Sequence, residues 1–390
     1  MSRSRALVRC VGALMASVLA TMTVLVGGAA PSVAQGSVTA RWEVVPLPAL
    51  TGPTDLTGVV AFGASDAWAV GYVSEQGSVR TLTLHWDGSQ WTRIPSPNRS
   101  RTQNWLFAVS GSSSSDAWAA GYDVGPDGKH RTFLLHWNGV RWRVVPSPNV
   151  TSLDTMLMGV TVLTPKNAWA VGSATAWPLT GQTVVQHWDG IRWSIVASPN
   201  PGTTGLGSYL LDVAAASAGD VWAVGDYDSG DSVMRTLTEH WDGTAWTAVS
   251  SPTARDGAVL TSVAAAGSED VWAVGWQQRR TQVQPLAQQW NGVAWSNVAT
   301  PRFNGDAAFA DVVAAGPNDV WAVGGQSNRT LAAHWDGKSW TASPTADPGG
   351  IGASFTDVTT IPGTPCLWAV GQFTDGERGQ ALVERYCAGR

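Results

Sequence analysis

One hexapeptide recurs seven times along this chain. It reads DAWAVG from Asp66, DAWAAG from Asp116, NAWAVG from Asn167, DVWAVG from Asp220, Asp270 and Asp319, and CLWAVG from Cys366. Its tryptophans, Trp68, Trp118, Trp169, Trp222, Trp272, Trp321 and Trp368, stand 50, 51, 53, 50, 49 and 47 residues apart. A period this even is the spacing of propeller blades, and it replaces the two or three unrelated domains that 390 residues would otherwise suggest.

Within each unit four short apolar runs are separated by turn residues. In the first they are Leu56 to Phe62, Ala67 to Tyr72, Thr81 to Trp86 and Trp91 to Pro95, read here as strands A to D. Asp-Gly or Asn-Gly joins C to D, the mark of a tight hairpin. No helical period separates the runs, which excludes an α/β repeat. The seventh unit ends after its strand C, and the missing strand D stands at the other end of the chain. Arg41-Trp42-Glu43-Val44-Val45-Pro46 has the pattern of Arg141-Trp142-Arg143-Val144-Val145-Pro146. The sequence therefore predicts an all-β, seven-bladed β-propeller with four antiparallel strands per blade, in which 41–49 complete a last blade built from 355–390. Closing the ring removes exposed sheet edges.

Residues 1–34 read as a signal peptide: Arg3, Arg5 and Arg9 precede an apolar core from Cys10 to Ala30, and Ser32-Val33-Ala34 offers small residues for cleavage. The same apolar core, if kept, is long enough to serve as an anchor. Cleavage predicts a secreted, extracellular chain of residues 35–390 with no transmembrane segment. It also removes three positive charges from a chain of net charge −5. An acidic surface with three lysines and no basic run argues against nucleic acid as a partner. Cys366 and Cys387 remain, in a compartment that permits disulfides. They replace the residues before strand B and after strand C of one blade, positions that antiparallel pairing brings opposite each other, so a structural bridge is expected.

Most of the 23 tryptophans belong to the repeat and are read as packing between wedge-shaped blades. The five histidines of the HW dipeptides, His85, His136, His187, His240 and His334, are read as structural for the same reason, since a catalytic base is needed once. No zinc motif, phosphate loop or nucleophile elbow is present, and no metal or cofactor is expected. Asp226, Asp228 and Asp231 lack EF-hand spacing and read as a turn.

The residues that break the repeat carry the functional expectation. Three tryptophans fall outside it: Trp105 just before strand A of blade 2, and Trp177 and Trp276 in the B–C loops of blades 3 and 5. Tyr72, Tyr122 and Tyr227 lie at the ends of strand B, and Arg80, Arg131, Arg235 and Arg329 at the starts of strand C. All map to the propeller face that carries the variable B–C and D–A connections. Aromatic faces bordered by Arg and amide donors suit sugar rings; strand-end salt bridges are the competing role for the arginines. Asp212, Asp311 and Asp357 share one position of innermost strand A and form a candidate carboxylate cluster for acid/base chemistry in the channel.

DVWAVG followed by HWDGxxW resembles the blades of tectonin-type propeller lectins over nearly all of 41–390. That resemblance implies a multivalent carbohydrate binder with sites between blades or in the loops. The WDGxxW turn is also similar to the Asp-box of sialidase-like propellers, with an Asp-to-Trp spacing one residue shorter. The sialidase arginine triad and tyrosine nucleophile cannot be assigned to residues of this chain. The expectation is a secreted binding module for carbohydrate or another cell-surface ligand, with an extracellular glycosidase or lyase and a protein-interaction scaffold as alternatives.

Overall fold

The apolar runs become strands longer than the runs themselves. In blade 1 strand A spans Thr54–Gly63, B Asp66–Glu75, C Ser78–Trp86 and D Trp91–Arg93. Strands B and C extend because their connection is only Gln76-Gly77, both with positive φ (50° and 77°), the geometry that matches strand twist in a two-residue hairpin. The computed structural model describes residues 40–175, 181–202, 207–231, 233–349 and 351–388; the signal segment and Trp177 lie outside them. Among the described residues there are seven four-stranded antiparallel sheets and no helix.

Ring closure follows the predicted route. Arg41–Val44 pairs antiparallel with Gly379–Cys387, placing Arg41 opposite Cys387 and Trp42 opposite Tyr386. Cys366 and Cys387 face each other across strands B and C of the same blade and form a disulfide, with their Cα atoms 4.2 Å apart.

Tryptophan triads hold neighbouring blades together. The strand B Trp of each blade meets the strand C and strand D aromatics of the next: Trp68 packs on Trp137 and, edge to face, on Trp142, with centroids 4.6 and 5.1 Å apart. The same contact repeats round the ring, through Trp321 with Tyr386 and Trp42, and Trp368 with Trp86 and Trp91. All seven strand B tryptophans are at most 5% exposed, and burying rings of 150–250 Å² in every joint makes these triads the main apolar term of the fold.

The HW histidines complete this scaffold. His85, His136, His240 and His334 bond the Asp before strand B at 2.7–2.9 Å, and His187 bonds Asn167. Each ring also lies against the strand B Trp of its own blade, at centroid distances of 4.3–4.7 Å.

Candidate functional site

Every strand A carries a β-bulge directly before one position, as between Leu56 and Gly58, Leu210 and Asp212, and Phe309 and Asp311. A bulge re-aims the side chain it displaces. It also brings strand B so close that the glycine of each WAVG or WAAG has no room for a side chain: a Cβ on Gly71 would sit 2.0 Å from the Asp55 carbonyl oxygen.

The bulge position holds Asp212, Asp311 and Asp357, and the structure links them in one chain of hydrogen bonds. Asp212 accepts the Val263 amide of the next blade at 3.0 Å, Asp311 the Val358 amide at 2.8 Å, and Asp357 the Val59 amide at 2.6 Å. Between the first two lies Ser262, whose hydroxyl is 2.9 Å from Asp212 and 2.5 Å from Asp311. One hydroxyl proton cannot serve two carboxylates, so this arrangement calls for a proton on one of the acids. Burial first, and the neighbouring Asp311 charge second, raise Asp212 to about 7 and Asp357 well above the usual carboxylate range. In blades 1 and 3 the bulge residue is Gly58 or Gly159, and the next backbone approaches so closely that an added Cβ would lie 2.9–3.0 Å from it. The acids therefore act as clasps between blades. No group of three or more His, Cys, Asp or Glu among the described residues could hold a metal ion.

Toward the mouth of the channel, two positions per blade form a belt: one on strand A, and its cross-strand partner at the end of strand B. The pairs run Asp55/Tyr72, Trp105/Tyr122, Met156/Ser173, Tyr209/Asp226, Val259/Trp276, Ala308/Gly325 and Ser354/Gln372. The strand B member of one blade adjoins the strand A member of the next. Tyr72 meets Trp105 with centroids 4.1 Å apart, and a Cβ on Gly325 would lie 3.2 Å from the Ser354 Cβ.

On blades 1 and 2 the aromatics of the belt satisfy one another. Trp105 lies between Tyr72 and Tyr122, Phe107 joins the stack, and His130 packs on Tyr122 at 4.6 Å. Tyr72 donates to Asp55, whose second oxygen has no partner among the described residues and whose carboxyl burial raises to about 7. Burial also raises the Tyr122 hydroxyl to about 12. Trp276 is different: it lies on strand B (Asp270–Arg279) rather than in a B–C loop, is half-buried, and has neither an aromatic neighbour nor a hydrogen bond among the described residues.

The arginines separate into two groups. Arg131 pairs with Asp127 at 3.0 Å, Arg235 with Asp231, and Arg329 with Asp347 at 3.6 Å, whereas Arg80 has no ion pair among the described residues. Asp228 is buried and caps the turn by accepting the Gly230 amide. Tyr227 packs against the core between blades 3 and 4. Arg329 and Asp347, with Phe303, Gln326 and Thr330, line a cavity of about 310 Å³ at the outer rim of blade 6. Sequence reasoning missed Phe107, and it missed Asp55, whose only signal is a belt position that changes chemistry from blade to blade.

No protein-family model and no curated protein matches the chain. Solved structures do. YCF48 from Cyanidioschyzon merolae is similar over 89% of this chain and 99% of its own, with TM-score 0.56 and 16% identity. The WD40 repeats of RRP9 are similar over 90% of this chain and 99% of theirs, with TM-score 0.57 and 11% identity. The chain is a seven-bladed β-propeller. The GH74 xyloglucanase from Xanthomonas campestris matches 88% of it with 55% of its own length, at TM-score 0.53 and 13% identity. At such identities the propellers share a ring and nothing about what it holds.

Proposed function

We propose that this propeller is a secreted binding module, residues 35–390 after loss of a 1–34 signal, that takes carbohydrate on cell surfaces through the channel mouth. One observation carries the reading: the side chains that differ between blades at the mouth include an unstacked indole, Trp276, while the channel acids are occupied in holding blades together. An indole face with polar neighbours is the recognition surface for the C–H face of a sugar. The resemblance of the repeat to tectonin-type lectins agrees with this reading. Against the glycosidase alternative stands the amide bonding of Asp212, Asp311 and Asp357. The scaffold alternative keeps the same face and exchanges the sugar for a polypeptide, as in the solved YCF48 with a bound D1 peptide.

The test is a glycan array probed with the purified 35–390 chain. Saturable binding without turnover of the bound glycan is the expected result. A blank array together with a peptide captured by the same face would replace carbohydrate with protein as the ligand; glycan cleavage would restore the enzyme reading.

A further inference from the structure

We infer that the mouth of the channel contains one pyranose subsite, on the Trp276 face where blade 5 meets blade 6, in which a sugar ring occupies the place that an aromatic side chain fills elsewhere in the belt. This inference rests on the carbohydrate reading above and adds its location and geometry.

The blade 1–2 joint is the template. There Tyr72 lies near the end of strand B, and Trp105, on strand A of the next blade, lies against it at 4.1 Å. At the blade 5–6 joint Trp276 holds the Tyr72 position and Ala308 holds the Trp105 position. A methyl group stands where the template has an indole, so the Trp276 ring lacks the partner that Tyr72 has. Blade 6 supplies only small side chains at this joint. It alone has nothing larger than a methyl at the two belt positions and at the next inward-facing strand A position, which are Ala308, Gly325 and Ala310.

The surroundings favour a sugar over a purely apolar ring. On the sheet that carries it, Trp276 stands in register between Val259 and Pro285, an apolar strip across three strands. Asp226 lies near the end of strand B of the preceding blade, at the belt position adjoining Val259, and no hydrogen bond engages its carboxyl among the described residues. Ser354 faces Gly325 on the far side. A pyranose laid on Trp276 thus meets an apolar strip, and the polar side chains at the neighbouring belt positions are Asp226 on one side and Ser354 on the other, the mixture that sugar rings demand. Burial raises Asp226 to about 7, which lets its carboxyl donate as well as accept toward sugar hydroxyls near neutral pH.

The experiment uses the 35–390 chain labelled with 5-fluorotryptophan and titrated with a panel of methyl α- and β-hexopyranosides. Trp276→Phe assigns the resonance of Trp276, and Ala308→Trp supplies the missing ring from the protein itself. Expected are a saturable shift of the Trp276 resonance with at least one glycoside, a tenfold or greater loss of affinity in Ala308→Trp, and little change in melting temperature for either variant. Binding that leaves the Trp276 resonance unmoved and survives Ala308→Trp would overturn the subsite while leaving carbohydrate as the ligand class. A wild-type chain that binds neither glycoside nor arrayed glycan would overturn both.

Discussion

Glu239 shows how much a single atom can decide in this fold. One buried position of strand C adjoins the linker from the preceding blade, and its side chain matches what the linker offers. Gln186 and Gln288 donate to the carbonyls of Pro148 and Pro252, while Glu384 accepts the Ala346 amide. Glu239 occupies the same position against the linker that contains Pro199, which has a carbonyl and no N–H. Both carboxylate oxygens lack a partner among the described residues, and burial raises the group to about 8. Its neutral form is therefore the one that fits. A raised carboxyl contributes stability that is fully present below its unfolded pKa of 4.5 and is lost as pH rises through about 8. Glu239→Gln should stabilise the protein by about 1–3 kcal/mol at pH 8 and by little at pH 4, measured by urea unfolding at both values. A larger gain at pH 4 than at pH 8 would refute the assignment. The sequence offers only a faint trace of this: a charged residue where blades 1, 2 and 6 have Leu84, Leu135 and Ala333.

At the scale of the strand, the sequence made the pairing legible and concealed what the side chains do across it. The closing strand was readable because the Arg41–Pro46 run repeats a strand D pattern, and the disulfide because two cysteines replace repeat residues in one blade. Asp212, Asp311 and Asp357 were readable as channel residues, but their role depends on a bulge and on the amide of the neighbouring blade, neither of which leaves a local pattern. Their clasp function has a direct test. Asp357→Ala should cost about 1–3 kcal/mol by stranding the Val59 amide at the joint between blades 7 and 1, while Asp357→Asn retains the acceptor and should be neutral or stabilising above pH 7. Neither should alter ligand affinity. Replacing Cys366 and Cys387 with Ala should cost about 2–4 kcal/mol by chemical denaturation, as for other loops of this length. That Trp105 breaks the repeat is legible in the sequence; that Tyr72, Phe107 and Tyr122 surround it is not, because those contacts cross between blades and strands.

Across the whole molecule, five buried acids on three of the seven blades titrate in the same direction. Asp55, Asp212, Asp226, Glu239 and Glu384 are each raised to about 7 or 8, with desolvation the largest cause in every case. The folded state holds more protons than the unfolded chain from about pH 4 to about pH 8, so stability falls across that window. Opposed to them are exposed turn acids such as Asp87 and Asp242, lowered to about 2 by hydrogen bonds within their turns, whose contribution fades below about pH 4. The melting temperature should therefore be highest near pH 4–5 and decline toward pH 8; a maximum at pH 7 or above would show that the buried carboxyls are ionised without cost. The seven-fold plan of the molecule was legible because the repeat writes each blade separately. The asymmetry at its mouth was not, because it lies in how one blade's residue meets the next blade's.

Closure by Arg41–Val44 sets a timetable for the chain. The strand that completes the ring is made before the other described strands, and its partner, Gly379–Cys387, after them. Until then Trp42 has neither Tyr386 nor Phe355 to cover it, and the sheet edge of blade 7 stays open. Six blades can assemble as they emerge, but the final joint awaits a contact spanning more than 300 residues, the kind of long-range pairing that forms slowly. The oxidation of Cys366 and Cys387 belongs to that same last interval, making a covalent record that the final blade has been built.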